Sequence, residues 1–323
     1  MTLTWIETAG VLLRLDCALP WVGRLVGSGE CLHPPDAPGD AAPIGVEADR
    51  EPFDTAGWEP LTRGAWRRGA EVVVENVATS GFDLHLRSDG PPSFQFRWRP
   101  PPRDRLASIV ARARFRLLVR AAIVHYPALW LAGLAGRAPL HAAACTAGRA
   151  TPLLAGPGGV GKSTLLALEL GAGGLFASDN LCVSDGHTAW GLVEPMRVES
   201  ERGPRTTHGR VEVAPRGRVA ALTPDRLVVV RRGLDGSPRL RPCSAAGAAR
   251  SLVTGTYMPG ELRRYWPLAA SLAAATGLGP SAPRVEAVAE RIASRLPCLE
   301  LTLPSRPGAR LASLLEPMEA VPA

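Results

Sequence analysis

Lysine is almost missing from this sequence. Of its 37 basic side chains only Lys162 is a lysine, and the rest are arginine. Arginine codons are GC-rich and lysine codons are not, so base composition alone can drain lysine from most of a chain. A position that still keeps one needs a compact, mobile ammonium rather than a broad planar guanidinium. Cysteine is sparse as well. The six cysteines, at 17, 31, 145, 182, 243 and 298, are scattered and form no CxxC pair. That pattern excludes a zinc ribbon and a disulfide framework, and it suits a reducing, cytoplasmic setting. Long apolar runs are lacking too. The best one, 121–136, is interrupted by His125 and Pro127, so no membrane span is expected. The first residues carry Glu7 and Asp16 and no basic start before an apolar stretch, so no signal peptide is expected either.

What is present describes a globular chain with a core. Hydrophobic residues make up 46% of 323 positions, enough for one large domain or two modest ones. The net charge is +7. Its arginines are spread along the chain, with short clusters at Arg67–Arg68, Arg112–Arg120 and Arg231–Arg241. No nucleic-acid-binding motif accompanies them, so a nucleic-acid partner is not expected.

The composition shifts near residue 104. Before it, turn formers dominate in "HPPDAPGDAAP" (33–43) and "RPPPRD" (99–104). Short strand-like runs lie between them, including "AEVVVENV" (70–77) and "FDLHLRS" (82–88). This predicts a small β-rich domain over 1–104, closed by Pro100–Pro102, and an α/β domain over 105–323. Within the second, 105–135 has helical periodicity with a break expected near Pro127. Residues 139–156 read as strand, turn at Gly148 and strand, and 162–170 as a helix ended by Gly171. A strand over 174–178 ends at Asp179, and 181–193 forms a hairpin turning at Asp185–Gly186. Further on, a strand near 227–230 precedes helices at 244–254, 260–276 and 284–295, a strand at 298–303 and a last helix.

The lone lysine stands in the most informative stretch. Gly156-Pro157-Gly158-Gly159-Val160-Gly161-Lys162-Ser163 fits G-x-x-x-x-G-K-[ST] at every fixed position, with an apolar strand before it and the helix 162–170 behind, and with Thr164 it makes up the expected nucleotide-binding residues. Glycines let main-chain N–H groups curl around an anion with no Cβ in the way, and the helix adds its positive end. Lys162 can reach between β- and γ-phosphates, and the Ser163 hydroxyl can sit on Mg²⁺. ATP and Mg²⁺ are therefore the expected ligands. Asp179, an acid at the end of the neighbouring strand, is the candidate for binding Mg²⁺ or for taking a proton from an attacking hydroxyl. The strand at 227–230 offers no such acid, since Arg231 follows it. Nor is there an LSGGQ-like segment, which disfavours a transporter ATPase.

"LHAAACTAGRATPLLAGPGGVGKSTLLALELGAGGLFASDN" resembles the catalytic core of the HPr kinase/phosphorylase family. The nearest likeness is to the HPr-kinase-like tailoring kinases of ribosomally made peptide pathways, such as lasso-peptide kinases. It covers 137–195 well, runs loosely to about 303 and is absent before 105. The resemblance implies an HPr-kinase-like P-loop core, a mixed sheet with flanking helices, behind the β-rich N-terminal domain. It implies transfer of the γ-phosphate of ATP to a serine or threonine hydroxyl of a peptide or small protein. His141 then lies near the transferred phosphate, and Asp179 matches the second acid of the family's pair. The first acid is Ser178 here, so Asp179, helped by Asn180, has to serve as base or as metal ligand. Downstream, Glu194 and Arg197 are placed to approach the phosphates. The polar stretch 199–210, with Arg205 and His208, reads as a loop that closes over substrate. HPr itself is not the expected acceptor, because the family's usual N-terminal module is not recognisable. A small-molecule kinase of the same fold, and a nucleotide-binding peptide carrier that transfers nothing, are the alternatives. Homo-oligomerisation is left open.

Overall fold

A computed structural model describes residues 2–26, 41–198, 211–214, 216–233, 236–304 and 308–319. The expected loop 199–210, with Arg205 and His208, lies outside them. The protein is a mixed α/β chain with several sheets and flanking helices, and its contacts divide it into two compact units.

The first unit takes Met1–Ala135 and, from later in the chain, Arg263–Pro283. Its strands are β1 (Thr2–Thr8), β2 (Val11–Cys17), β3 (Ala42–Glu47), β4 (Glu59–Thr62), β5 (Ala65–Arg68), β6 (Glu71–Val74), β7 (Phe82–Arg87) and β8 (Ser93–Trp98). They form one sheet in the order β1-β2-β3-β8-β7-β6-β5-β4. Neighbours are antiparallel except at β2–β3 and β3–β8. In β2 the alternation is plain: Leu13, Leu15 and Cys17 are buried and Arg14 is exposed. Ala9 and Gly10, both at positive φ, make the tight turn that joins β1 to β2. Helix α1 (Pro20–Val26) places Trp21 against Phe82, Trp98 and Phe115, with centroids 5.4–6.0 Å from Trp21.

Phe115 belongs to α3 (Arg112–Arg120), which follows α2 (Pro102–Val110) after a break at Ala111 and leads through a π turn at Ala121–His125 into α4 (Tyr126–Leu134). The break expected at Pro127 is therefore at Ala111 instead. The π turn widens the helix just before Pro127, which accommodates a residue without an N–H and keeps the helix going. The run Arg112–Leu134 is long and apolar enough to cross a membrane by length and composition, and 78% of that window is buried within the protein. The contact division falls at Ala135, not at the proline cluster, because the aromatic side chains of these helices pack on the sheet: Trp130 meets Phe94 edge-on at 6.0 Å.

The second unit takes Gly136–Ser200, Glu212–Leu262 and Arg284–Ala323. It opens with β9 (Ala138–Leu140), β10 (Ala142–Cys145), β11 (Pro152–Ala155), α5 (Lys162–Leu170) and β12 (Phe176–Ser178). The hairpin β13 (Cys182–Ser184) and β14 (Ala189–Gly191) follows, then β15 (Met196–Val198), β16 (Val211–Val213) and β17 (Ala221–Leu222). Next come β18 (Arg226–Arg232), β19 (Arg239–Pro242) and α6 (Ala245–Tyr257). Helix α7 (Gly260–Thr276) starts here and continues into the first unit; α8 (Val285–Arg295), β20 (Cys298–Leu303) and α9 (Leu311–Glu319) end the described chain.

The main sheet runs β12-β10-β11-β18-β20-β19. Its centre, β11-β18-β20, is parallel and buried; β11 and β18 read as nearly continuous apolar runs, LLA and LVVV, whereas β20, CLELTL, alternates, with Glu300 paired to Arg231 and Arg241. A smaller antiparallel sheet runs β17-β14-β13-β9. The chain passes from the smaller sheet to the main one between β9 and β10, at a single residue, His141.

Candidate functional site

The site stands where β11 meets α5. Gly156, Gly159 and Gly161 all have positive φ, at 142°, 82° and 110°. The outer two are also fixed by packing. A Cβ on Gly156 would come within 2.6 Å of the Val230 carbonyl oxygen, and one on Gly161 within 3.1 Å of Leu303 Cδ1. A Cβ on Gly158 or Gly159 would meet nothing within 4 Å. Thus the strand ends of β18 and β20 press the loop's two ends into shape, while Pro157, Gly158 and Gly159 stay exposed and leave open space above them. The main-chain N–H groups of this loop and of the first turn of α5 form a concavity suited to an anion. Thr164, next on the helix, is exposed.

Lys162 is buried at the first position of α5. Its Nζ donates to the carbonyl oxygens of Gly156 at 2.7 Å and Pro157 at 3.2 Å, so the side chain lies back along the loop it emerges from.

Asp179 follows β12 and is buried. Burial pushes its carboxyl above the ordinary range, against the Ser163 hydroxyl, the Arg197 main-chain N–H and the charges of Lys162 and Arg197, all of which favour the carboxylate. Its Oδ1 has no hydrogen-bond partner among the described residues. A buried acceptor without a donor costs free energy unless something else satisfies it. Ser178 points elsewhere, as a neighbour one residue away on a strand must. Its hydroxyl donates to the Ala142 carbonyl at 2.9 Å and accepts from the Ala144 N–H at 3.2 Å, so it is spent on the edge of the sheet.

His141 is buried beside these groups. Its main-chain N–H donates to Thr256 Oγ1 at 3.1 Å, and its ring nitrogens lie 3.1 Å from the Gly255 carbonyl (Nδ1) and 3.0 Å from the Asn180 amide (Nε2). Burial, reinforced by the charge of Lys162, pushes the imidazole down to about 4, so it is neutral at pH 7. A neutral ring has one proton, and the Gly255 carbonyl can only accept. Asn180 Oδ1, which faces Nε2, is an acceptor as well, so the neutral ring donates to one of these two oxygens at a time. Asn180 Nδ2 donates to Glu261 Oε2 at 3.4 Å, and Glu261 Oε1 accepts from Arg197 at 3.2 Å. Glu194 accepts from the Leu181 main-chain N–H at 3.2 Å. Burial and the neighbouring Glu261 push Glu194 up to about 8, with Arg197 opposing the shift. Arg197 stays charged, because Glu261 and Glu194 outweigh its burial.

The structure thus gathers Lys162, Ser163, Asp179, Asn180, His141, Glu194 and Arg197 around one end of the main sheet. Glu261, Gly255 and Thr256 join them and were not expected. Glu261 is an acid in the first turn of α7, where it reads as an ordinary partner of the helix dipole. Gly255 reads as a mid-helix weakness, yet a Cβ there would crowd the Gly156 carbonyl at 3.3 Å. Neither has a local signal.

Among the described residues no group of three or more His, Cys, Asp and Glu could hold a metal ion. The Ser163 hydroxyl and the Asp179 carboxylate, which are hydrogen-bonded neighbours, are the groups that would hold a divalent cation shared with a bound anion. Magnesium, which keeps several waters and uses one or two protein oxygens, has that habit. No model of a known protein family matches this chain, and no curated protein matches it.

Proposed function

We propose that the chain is an ATP- and Mg²⁺-dependent kinase of the HPr-kinase-like kind, which phosphorylates a serine or threonine hydroxyl of a peptide or small protein. One observation carries the reading: an open glycine loop, with Lys162 behind it, stands by a buried Asp179 whose Oδ1 has no partner among the described residues. A structural turn would have no reason to bury an unsatisfied carboxylate beside an anion cradle.

In this reading the loop N–H groups and the start of α5 grip the β- and γ-phosphates. Lys162 leaves the carbonyls of Gly156 and Pro157 and turns to those phosphates, neutralising charge that grows on the leaving diphosphate. Ser163, with Asp179 as its second ligand where Asp179 is not the base, would hold Mg²⁺, which would neutralise charge on the phosphate oxygens. The acceptor hydroxyl oxygen bonds to the γ-phosphorus as the bond to the β–γ bridging oxygen breaks. Its proton passes to Asp179 where that carboxylate serves as the base and not as the metal ligand. His141, held by Gly255 and Asn180, presents a neutral ring to the same region, and Arg197 answers the negative charge around it.

Titration calorimetry with ATP and Mg²⁺, followed by mass spectrometry of candidate peptides, tests this. Expected are heat of binding and a peptide carrying one added phosphate. No heat on adding nucleotide sinks the reading. Ser178 favours a second one, since its hydroxyl is consumed by the sheet and only one acid remains at the strand end. A carrier that binds ATP and transfers nothing would give the heat without the phosphopeptide.

A further inference from the structure

The first unit has one surface that no part of the kinase reading uses. Helix α2 turns Leu106, Ile109 and Val110 to solvent, at 62%, 77% and 77% exposure. Their spacing of three and four puts them on one face, and none of the other exposed large hydrophobics of the described chain exceeds 59%. Arginines flank that stripe along the chain: Arg103 and Arg105 on α2, then Arg112, Arg114 and Arg116 on α3, all exposed. Arg103 has only a loose contact with Asp104, at 3.7 Å, and Arg105 donates to the Pro100 carbonyl. No carboxylate among the described residues pairs with Arg112, Arg114 or Arg116. The opposite face of α3 is committed, because Phe115, Leu118 and Val119 are buried.

We infer that the α2–α3 surface docks an acidic segment bearing bulky apolar side chains, and that this segment belongs to the peptide substrate. The identity of the occupant as substrate rests on the kinase reading; the docking itself does not. Charge complementarity selects the partner. Five arginine forks flanking three apolar side chains match alternating carboxylates and apolar residues, and a guanidinium pairs with a carboxylate through two parallel hydrogen bonds. An anionic lipid surface fits less well. The exposed face has no tryptophan, tyrosine or phenylalanine to settle at a headgroup layer, and the break at Ala111 prevents α2 and α3 from lying as one straight helix.

Fluorescence anisotropy of the full chain tests this with a fluorescein-labelled peptide that alternates Asp-Glu pairs with leucines. A copy with the acids changed to Gln and Asn is the control. We expect saturable binding that weakens with added salt and is absent for the control. The double variant Arg112→Glu/Arg116→Glu, and separately Ile109→Asp, should each weaken binding by about tenfold or more, equivalent to about 1.4 kcal/mol. All three positions are exposed, so the thermal melts should match wild type, and the heat of ATP binding should not change. Several results overturn the docking proposal: no binding of the acidic peptide, binding the variants leave intact, or co-sedimentation with phosphatidylserine vesicles in place of peptide binding. So does a dimer, seen by light scattering, that Ile109→Asp dissolves. Loss of ATP heat in wild type would sink the kinase reading and leave peptide binding as measured.

Discussion

Lys162 shows what a single side chain can be asked to do. Its Nζ reaches two loop carbonyls from a buried position, with a compact ammonium where arginine would bring a broad planar fork. Lys162→Arg should therefore behave as a loss, not a conservative exchange. A hydrogen bond to a charged group contributes about 1.5–3 kcal/mol, so ATP affinity should fall by one to two orders of magnitude, read by calorimetry. Asp179→Asn separates binding from transfer. ATP should still bind, and the rate of phosphopeptide formation should drop by about two orders of magnitude or more; full turnover would remove Asp179 from the mechanism. The buried titratable groups also make stability depend on pH, in opposite senses. His141 is held at about 4 in the folded protein against an ordinary value of 6.5, so the unfolded chain takes up that proton first. Its contribution to stability is whole above about 6.5 and is lost as pH falls towards 4. Glu194, held up to about 8 against an ordinary 4.5, works the other way: the unfolded chain releases its proton first, and stability declines as pH climbs from about 4.5 to about 8. Melting temperatures of Glu194→Gln should hold steady over that upper range, where wild type declines. Parallel curves for the two proteins would show that Glu194 is not buried in the way described.

At the scale of elements, the glycine loop depends on the strands beside it. Gly156 sits at a φ of 142° with the Val230 carbonyl 2.6 Å from where a Cβ would lie. Gly156→Ala must move β18 or the loop. It should cost about 1–3 kcal/mol in a denaturant titration and remove ATP heat altogether. An unchanged affinity would mean that the loop tolerates a different path. This half of the site was readable in advance, because a loop between one strand and one helix is local in sequence. The hairpin β13–β14, the parallel strand β18 and the helix α5 were legible for the same reason: turn residues and apolar runs announce them. The rest was not. Glu261 meets Arg197 and Asn180 only because the fold brings the first turn of α7 to residues 64 and 81 positions away, and Gly255 matters only because α6 passes the Gly156 carbonyl. Pro127 misled for the opposite reason. A proline predicts a break, but a π turn one residue earlier absorbed it, and the helix broke at Ala111, where nothing in composition marks the place.

On the scale of the whole molecule, the two units are interleaved along the chain, and this decides how the protein can be cut. A boundary at 104, or at Ala135, looks like a natural place to separate a β-rich unit from the rest. Yet Arg263–Pro283 returns to the first unit. Tyr265 is fully buried there with its ring 5.7 Å from that of Tyr126, and Leu268 and Leu272 are buried with it. Burying such a side chain contributes about 1.5–3 kcal/mol. Stripping the partners of Tyr265, Leu268 and Leu272 together would cost on the order of 5–9 kcal/mol, as much as a typical domain has to lose. A fragment of residues 136–323 expressed alone should therefore aggregate, or bind a hydrophobic dye without a cooperative melt. Co-expression with residues 1–135 should restore a soluble complex that again gives heat with ATP. A fragment that melts cooperatively as a monomer on its own would show that α7 does not need the first unit, and that the packing around Tyr265 contributes far less than its burial implies.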